Sequence, residues 1–254
     1  MIVGLVMIAV LPVLILTPLL IWRYRYEGNA TYRPQWGFLW GLEVLIWGVP
    51  LLIVAPLAVL LWLNTANLDP WQPIDGAEAP LRIQVVGYDW KWLFIYPDQG
   101  VATVGYMVIP AGTPLAFELT SQTVMQSFWI PTLGGQVYAM GAGMVTRLHL
   151  LADGPGVFRG LNTQYNGKGF AEQRFEARAV SLDGFEDWVA SVRTQGAALD
   201  EGALSALAEK NTKQELVALI PGATGEAVLF HSVPEDFFSD LVQRASASAA
   251  EHGR

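Results

Sequence analysis

The sequence predicts an α+β membrane protein, in which a two-helix transmembrane hairpin is followed by a β-sandwich and a helical C-terminal extension. Three observations carry this reading. Two long apolar runs near the N-terminus contain a single charged residue, Glu43. From residue 81 the apolar residues recur with a period of two, and after residue 182 the period lengthens to that of a helix.

The first run, Ile2 to Trp22, has no charge and is long enough to cross a hydrocarbon core of roughly 30 Å. Pro12 and Pro18 interrupt its hydrogen-bond ladder, which is tolerated where neighbouring protein covers the freed carbonyls. A cleaved signal peptide is the competing reading, but such peptides carry their basic cluster before the apolar run, and here it follows. The second run, from about Phe38 to Leu63, is edged by Trp36, Trp40 and Trp62, the aromatics of membrane interfaces. Between the runs, Arg23, Arg25 and Arg33 outnumber Glu27. The positive-inside rule therefore puts the loop in the cytoplasm and everything after the second span outside.

The hairpin is expected over residues 1–66, a linker rich in Asp, Pro and Gly over 67–80, and a sandwich over 81–182. Strands are predicted at Leu81 to Val86, Trp90 to Tyr96, Val101 to Ile109, Leu115 to Thr120, Val124 to Ile130, Met144 to Leu151, Gly156 to Leu161 and Arg174 to Val180. Short strands at this spacing, separated by Pro, Gly or Asp turns, fit two packed sheets around one core. Residues 183–244 read as helical and aromatic-rich, with helices at Phe185 to Arg193, Leu199 to Lys210, Lys213 to Leu219 and Pro234 to Arg244. Thr212 and Glu215 are spaced as a capping box. The small, polar tail 245–254 is expected to be disordered.

Composition narrows the chemistry. A net charge of −8 with scattered basic residues excludes a nucleic-acid partner, because phosphate backbones need clustered Lys and Arg. The absence of cysteine excludes disulfides, thiolate catalysis and Cys-ligated metals. His149, His231 and His252 show no ligand spacing, so no metal site is expected from them. Neither Ser121 nor Ser127 sits in a Gly-x-Ser-x-Gly elbow, which argues against a hydrolase.

Several separated stretches resemble one family in the right order. Glu43-Val-Leu-Ile-Trp47-Gly-Val-Pro50 looks like the second helix of subunit II of haem-copper oxidases, and Gly87-Tyr-Asp-Trp-Lys-Trp-Leu-Phe-Ile-Tyr96 resembles that family's aromatic strand. Gln126-Ser-Phe-Trp-Ile-Pro131 resembles its copper-ligand strand with the ligand changed, Pro155-Gly-Val-Phe-Arg-Gly160 the approach to its copper loop, and Phe185-Glu-Asp-Trp188 the helix after the sandwich. The resemblance implies a cupredoxin-like sandwich. In the cytochrome c oxidase branch that sandwich holds a dinuclear copper centre bound by two cysteines, two histidines, a methionine and the backbone carbonyl of a glutamate. Carried over position by position, the first histidine is Gln126, the cysteines are Asn162 and Asn166, and the glutamate is Gln164. The second histidine falls on Phe170 and the methionine on Gln173. Bridging thiolates set that chemistry, and amides and a phenyl ring do not supply it.

Such a loss resembles the quinol oxidases, above all the cytochrome bo-type ubiquinol oxidases, whose electrons arrive from lipid-soluble quinol. Val124 to Pro131, Gln136 to Met140, Thr146 to Leu150 and Tyr165 to Phe170 look close to that branch, as does the tail with Phe237 and Phe238. The resemblance implies subunit II of a complex that oxidises quinol, reduces oxygen to water and pumps protons in the aerobic respiratory chain. Haems, copper and ubiquinone would then lie in subunit I and no cofactor in this chain. Subunits I, III and IV and membrane lipid would be its partners, cytochrome c would not, and its place would be the bacterial inner membrane, multi-pass, with the large domain in the periplasm.

A carboxylate inside a span is expensive unless it faces protein or water. Glu43 matches the family's glutamate at the mouth of a proton pathway, against the plainer reading of a side chain snorkelling to the interface. Trp90 and Trp92 match the patch through which copper-bearing relatives admit electrons. With no copper behind them they are expected to pack the domain and to touch subunit I. The competing function is a free-standing, membrane-tethered binding or assembly module on the same scaffold.

Overall fold

The computed structural model describes residues 2–26, 28, 37–67, 69–74, 79–221, 223 and 227–252. Two compact units are present, Met1–Asp69 and Pro70–Arg254. In the first, α1 spans Ile2–Arg23 and α2 spans Trp40–Asn67, with Pro12, Pro18, Pro50 and Pro56 inside them. Of the described residues, Trp40–Thr65 is long and apolar enough to cross a bilayer, and Val10–Arg23 forms a shorter apolar stretch. Large apolar side chains such as Leu52, Leu61 and Trp62 stand exposed along α2. Arg33 and Trp36, and most of the linker's acidic part at 75–78, lie outside the described residues.

The second unit is a sandwich of two sheets. Strands β1 (Leu81–Tyr88), β2 (Lys91–Tyr96), β3 (Val101–Val104), β5 (Leu115–Ser121) and β8 (Thr146–Leu150) belong to one sheet. Strands β4 (Tyr106–Pro110), β6 (Gln126–Trp129), β7 (Val137–Ala139), β9 (Gly156–Asn162) and β10 (Arg174–Val180) make the other, in the order β4-β10-β9-β6-β7. Pairing is mixed: β1 runs parallel to β5 and β4 to β10, while the remaining neighbours in the sandwich are antiparallel. Side chains alternate as the period-two pattern requires. Trp92, Phe94 and Tyr96 of β2 point into the core between the sheets, where Phe128 and Phe175 stack with centroids 5.0 Å apart. The Tyr96 hydroxyl donates to Val108 O at 2.9 Å and accepts from Val108 N at 3.0 Å, tying the two sheets together inside the core.

The run Val101 to Ile109, which alternation reads as one strand, is two strands in different sheets. Gly105, at φ 111°, makes the crossing, a backbone conformation that costs glycine little. Trp90 also leaves its predicted strand. It sits with Asp89 in the tight turn between Tyr88 and Lys91, at φ 67°.

The extension beyond residue 182 is helical but contributes strands as well. Ser181 caps α3 (Leu182–Gln195), Asp200 caps α4 (Glu201–Ala208), and Thr212 with Glu215 forms the capping box of α5 (Lys213–Leu219). Between them β11 (Ala197–Ala198) and, after α5, β12 (Val228–His231) extend the first sheet to the order β11-β12-β3-β2-β1-β5-β8. The outer face of that sheet is itself apolar: Val86, Leu93, Ile95 and Val104 meet Leu207, Leu216, Phe230 and Phe238 in a second core. The central strands are thereby buried on both faces, and burial of this second face is what holds the extension in place. The last helix, α6 (Phe237–His252), continues through residues 245–252, where disorder was expected. Its alanines have the highest helix propensity and carry the helix past the apolar contacts.

Candidate functional site

At one end of the sandwich the chain brings four side-chain amides together. Gln126 opens β6, Asn162 closes β9, Gln173 immediately precedes β10, and Asn166 lies on the loop between the last two. Gln126, Asn162 and Gln173 are buried at 0, 2 and 1% exposure, so each must find partners within the protein. They find one another. Gln173 Nε2 donates to Gln126 Oε1, while Asn162 Nδ2 and Asn166 Nδ2 both donate to Gln173 Oε1, at 2.9 and 2.7 Å.

The remaining atoms of Gln126 and Asn162 are anchored to backbone and to the Thr123 hydroxyl. Gln126 Nε2 donates to Tyr88 O at 3.0 Å and to Thr123 Oγ1 at 3.1 Å. Asn162 Oδ1 accepts from the backbone N–H groups of Ser127 and Gln164, each at 2.9 Å. Gly87 makes room for the arrangement, since a Cβ there would meet Gln126 Oε1 at 2.7 Å and the Trp92 ring at 3.1 Å.

This donor set does not suit copper. The oxygens of Gln126, Asn162 and Gln173 accept from N–H groups of the cluster or of the backbone, Asn166 Oδ1 is buried with no hydrogen-bond partner among the described residues, the nitrogens are amides without a lone pair to give, and no thiolate or imidazole stands among them. A neutral, buried hydrogen-bond cluster of this kind rigidifies the end of the domain.

The remaining predicted positions divide. Gln164 joins the cluster through its backbone N–H alone. Phe170 lies outside it, half-buried, with its ring tilted against Tyr165 at 5.7 Å. Trp92 is in the core, 5.4 Å from the Phe128 ring, whereas Trp90 covers the loop, donating from Nε1 to Asn166 O at 3.2 Å and lying over Gly169. The two tryptophans therefore serve different surfaces. Glu43 sits in the first turn of α2, where its Oε2 accepts a hydrogen bond from Trp47 Nε1 at 3.1 Å. The His149 ring reaches Pro70 O, His231 contacts the neighbouring Ser232 Oγ, and the His252 side chain lies outside the described residues. Among the described residues no group of three His, Cys, Asp or Glu is spaced for a metal.

Sequence reasoning missed Lys91. Alternation along β2 turns it away from the sandwich core, and its Nζ donates to Glu209 O at 2.8 Å and to Asn211 O at 3.3 Å, joining β2 to the segment between α4 and α5. Burial pulls its ammonium down from 10.5 to about 8, against the opposing pull of Asp89. A lysine between two tryptophans in an otherwise apolar strand was the available signal.

No family model matches the chain. Two curated relatives match most of it. Subunit 2 of the cytochrome bo(3) ubiquinol oxidase of Pseudomonas aeruginosa is 42% identical over 98% of this chain and 73% of its own length, and that of Pseudomonas putida is 45% identical over 87% of this chain and 70% of its own. Among solved structures, the periplasmic domain of subunit II of cytochrome oxidase from Bradyrhizobium japonicum is 24% identical, with a TM-score of 0.43, over 46% of this chain and 96% of that domain.

Proposed function

Because the chain belongs to the subunit 2 family of cytochrome bo(3)-type ubiquinol oxidases, we propose that it is the subunit of such a complex that carries no redox centre. The observation that carries this reading is the amide cluster of Gln126, Asn162, Asn166 and Gln173, four positions that the resemblance to the cytochrome c oxidase branch matches to copper ligands. Amides bonded to one another in this way offer copper neither a thiolate nor an imidazole. Electrons would therefore enter the complex from quinol within the membrane, with haems and copper in subunit I.

In this reading both apolar helices span the inner membrane, and the arginines of the intervening loop hold it on the cytoplasmic side. The sandwich then lies in the periplasm, braced against subunit I, with subunits III and IV as further neighbours. Glu43 lies near the cytoplasmic end of its span, one helical turn from Trp47, and serves the entrance of a proton path into subunit I. Trp47 orients that carboxylate. The test is purification of the chain from its native membrane in mild detergent. Co-purification with a haem-bearing partner, and quinol-driven oxygen uptake that is lost on deletion and returns on complementation, is the expected result. A lone, colourless polypeptide whose deletion leaves respiration unchanged would overturn it.

A further inference from the structure

The outer face of the second sheet carries a cavity of about 450 Å³ with a chemistry unlike the rest of the chain. The chain is acidic at −8, yet four of its 15 basic residues, Arg159, Arg174, Arg178 and Lys213, line this one cavity beside a single acid, Glu176. The register of the sheet explains the gathering. Arg174, Glu176 and Arg178 alternate on one face of β10, and Glu176 lies opposite both Arg159 of β9 and Tyr106 of β4.

Arg178 is already engaged. It bonds Glu176 at 3.0 and 2.8 Å and lies over the Tyr106 ring at 4.4 Å, forming a fixed wall. Arg159, Arg174 and Lys213 have no ion-pair partner among the described residues. Three cations around one concavity repel one another, and nothing in the sandwich requires them there.

We propose that this cavity binds the phosphate group of a phosphomonoester or phosphodiester. The forked guanidinium groups of Arg159 and Arg174 match paired phosphate oxygens, and Lys213 adds a point charge from the start of α5. The volume exceeds that of a bare phosphate and leaves space for an organic substituent against Leu161 and Tyr106. A phospholipid head group and a soluble phosphoester share this chemistry.

The experiment uses the full chain in neutral detergent. Calorimetric titration with inorganic phosphate tests the anion site, and native mass spectrometry after equilibration with phosphatidylglycerol tests the lipid source. Arg159→Gln with Arg174→Gln is expected to weaken phosphate binding about tenfold or more, as loss of charged hydrogen bonds does. Arg159→Lys with Arg174→Lys, which keeps the charge and loses the fork, is expected to restore part of it. Phosphatidylglycerol retained by the wild type and lost from the glutamine variant assigns the lipid source, and phosphate binding without lipid retention assigns a soluble phosphoester. Equal behaviour of wild type and glutamine variant in both arms overturns the site. So does loss of a protein partner from that variant with phosphate binding unchanged, which would make the face a protein interface.

Discussion

Gln173 Nε2 donates its hydrogen bond to Gln126 Oε1, joining the start of β10 to the start of β6 across the intervening strand β9. Both side chains are buried, so the bond is part of the domain's structural core. Breaking it from either side leaves polar atoms stranded away from water.

Gln173→Ala orphans Gln126 Oε1 and the amide donors of Asn162 and Asn166 together. Each stranded buried group costs about 1–3 kcal/mol. Denaturant unfolding followed by tryptophan fluorescence should show a loss in at least that range. A variant as stable as the wild type would mean that solvent reaches the cluster.

Gly87→Ala acts on the same cluster through space. The new methyl would press on the Gln126 carbonyl oxygen and the Trp92 ring, and overpacking of this kind costs about 1–3 kcal/mol. The same unfolding measurement checks it, with Gly154→Ala as a control at a site with open space and no positive φ.

Lys91 makes stability depend on pH in the alkaline range. Folding lowers its pKa from 10.5 to about 8, so between those values the unfolded chain binds more protons than the folded one. Stability contributed by this group therefore rises as pH climbs from about 8 to about 10.5 and is flat below. Lys91→Met should remove that slope, read as the pH dependence of the unfolding midpoint. An unchanged slope would place its origin elsewhere.

Glu43→Gln should slow oxygen reduction and proton uptake by the complex severalfold while leaving assembly intact, and Trp47→Phe, which frees the carboxylate without removing it, should do so more weakly. Turnover and proton-uptake rates of the purified complex measure both. Equal rates in all forms would return Glu43 to a plain interfacial role.

What the sequence made legible follows from what periodicity reports. Alternation placed most strands of the sandwich and helical spacing placed α3 to α5, because burial on one face leaves a repeating mark. It could not separate β3 from β4, since the chain stays apolar across Gly105 while it changes sheets. It could not show β12 either, because four residues inserted between β11 and β3 carry too short a pattern. The amide cluster is invisible to periodicity altogether. Gln126, Asn162, Asn166 and Gln173 are far apart and individually ordinary, and only the resemblance to a copper-binding pattern singled them out before the fold brought them together. That pattern also named Phe170, which the fold leaves against Tyr165 and outside the cluster.

We propose that the four amides at the positions matched to copper ligands leave no seat for copper. The test is to load the purified chain with Cu(II) under reducing and then oxidising conditions, remove free metal, and measure retained copper together with the near-infrared spectrum. No copper retained above background and no near-infrared band is the expected result. Stoichiometric copper with such a band would contradict it.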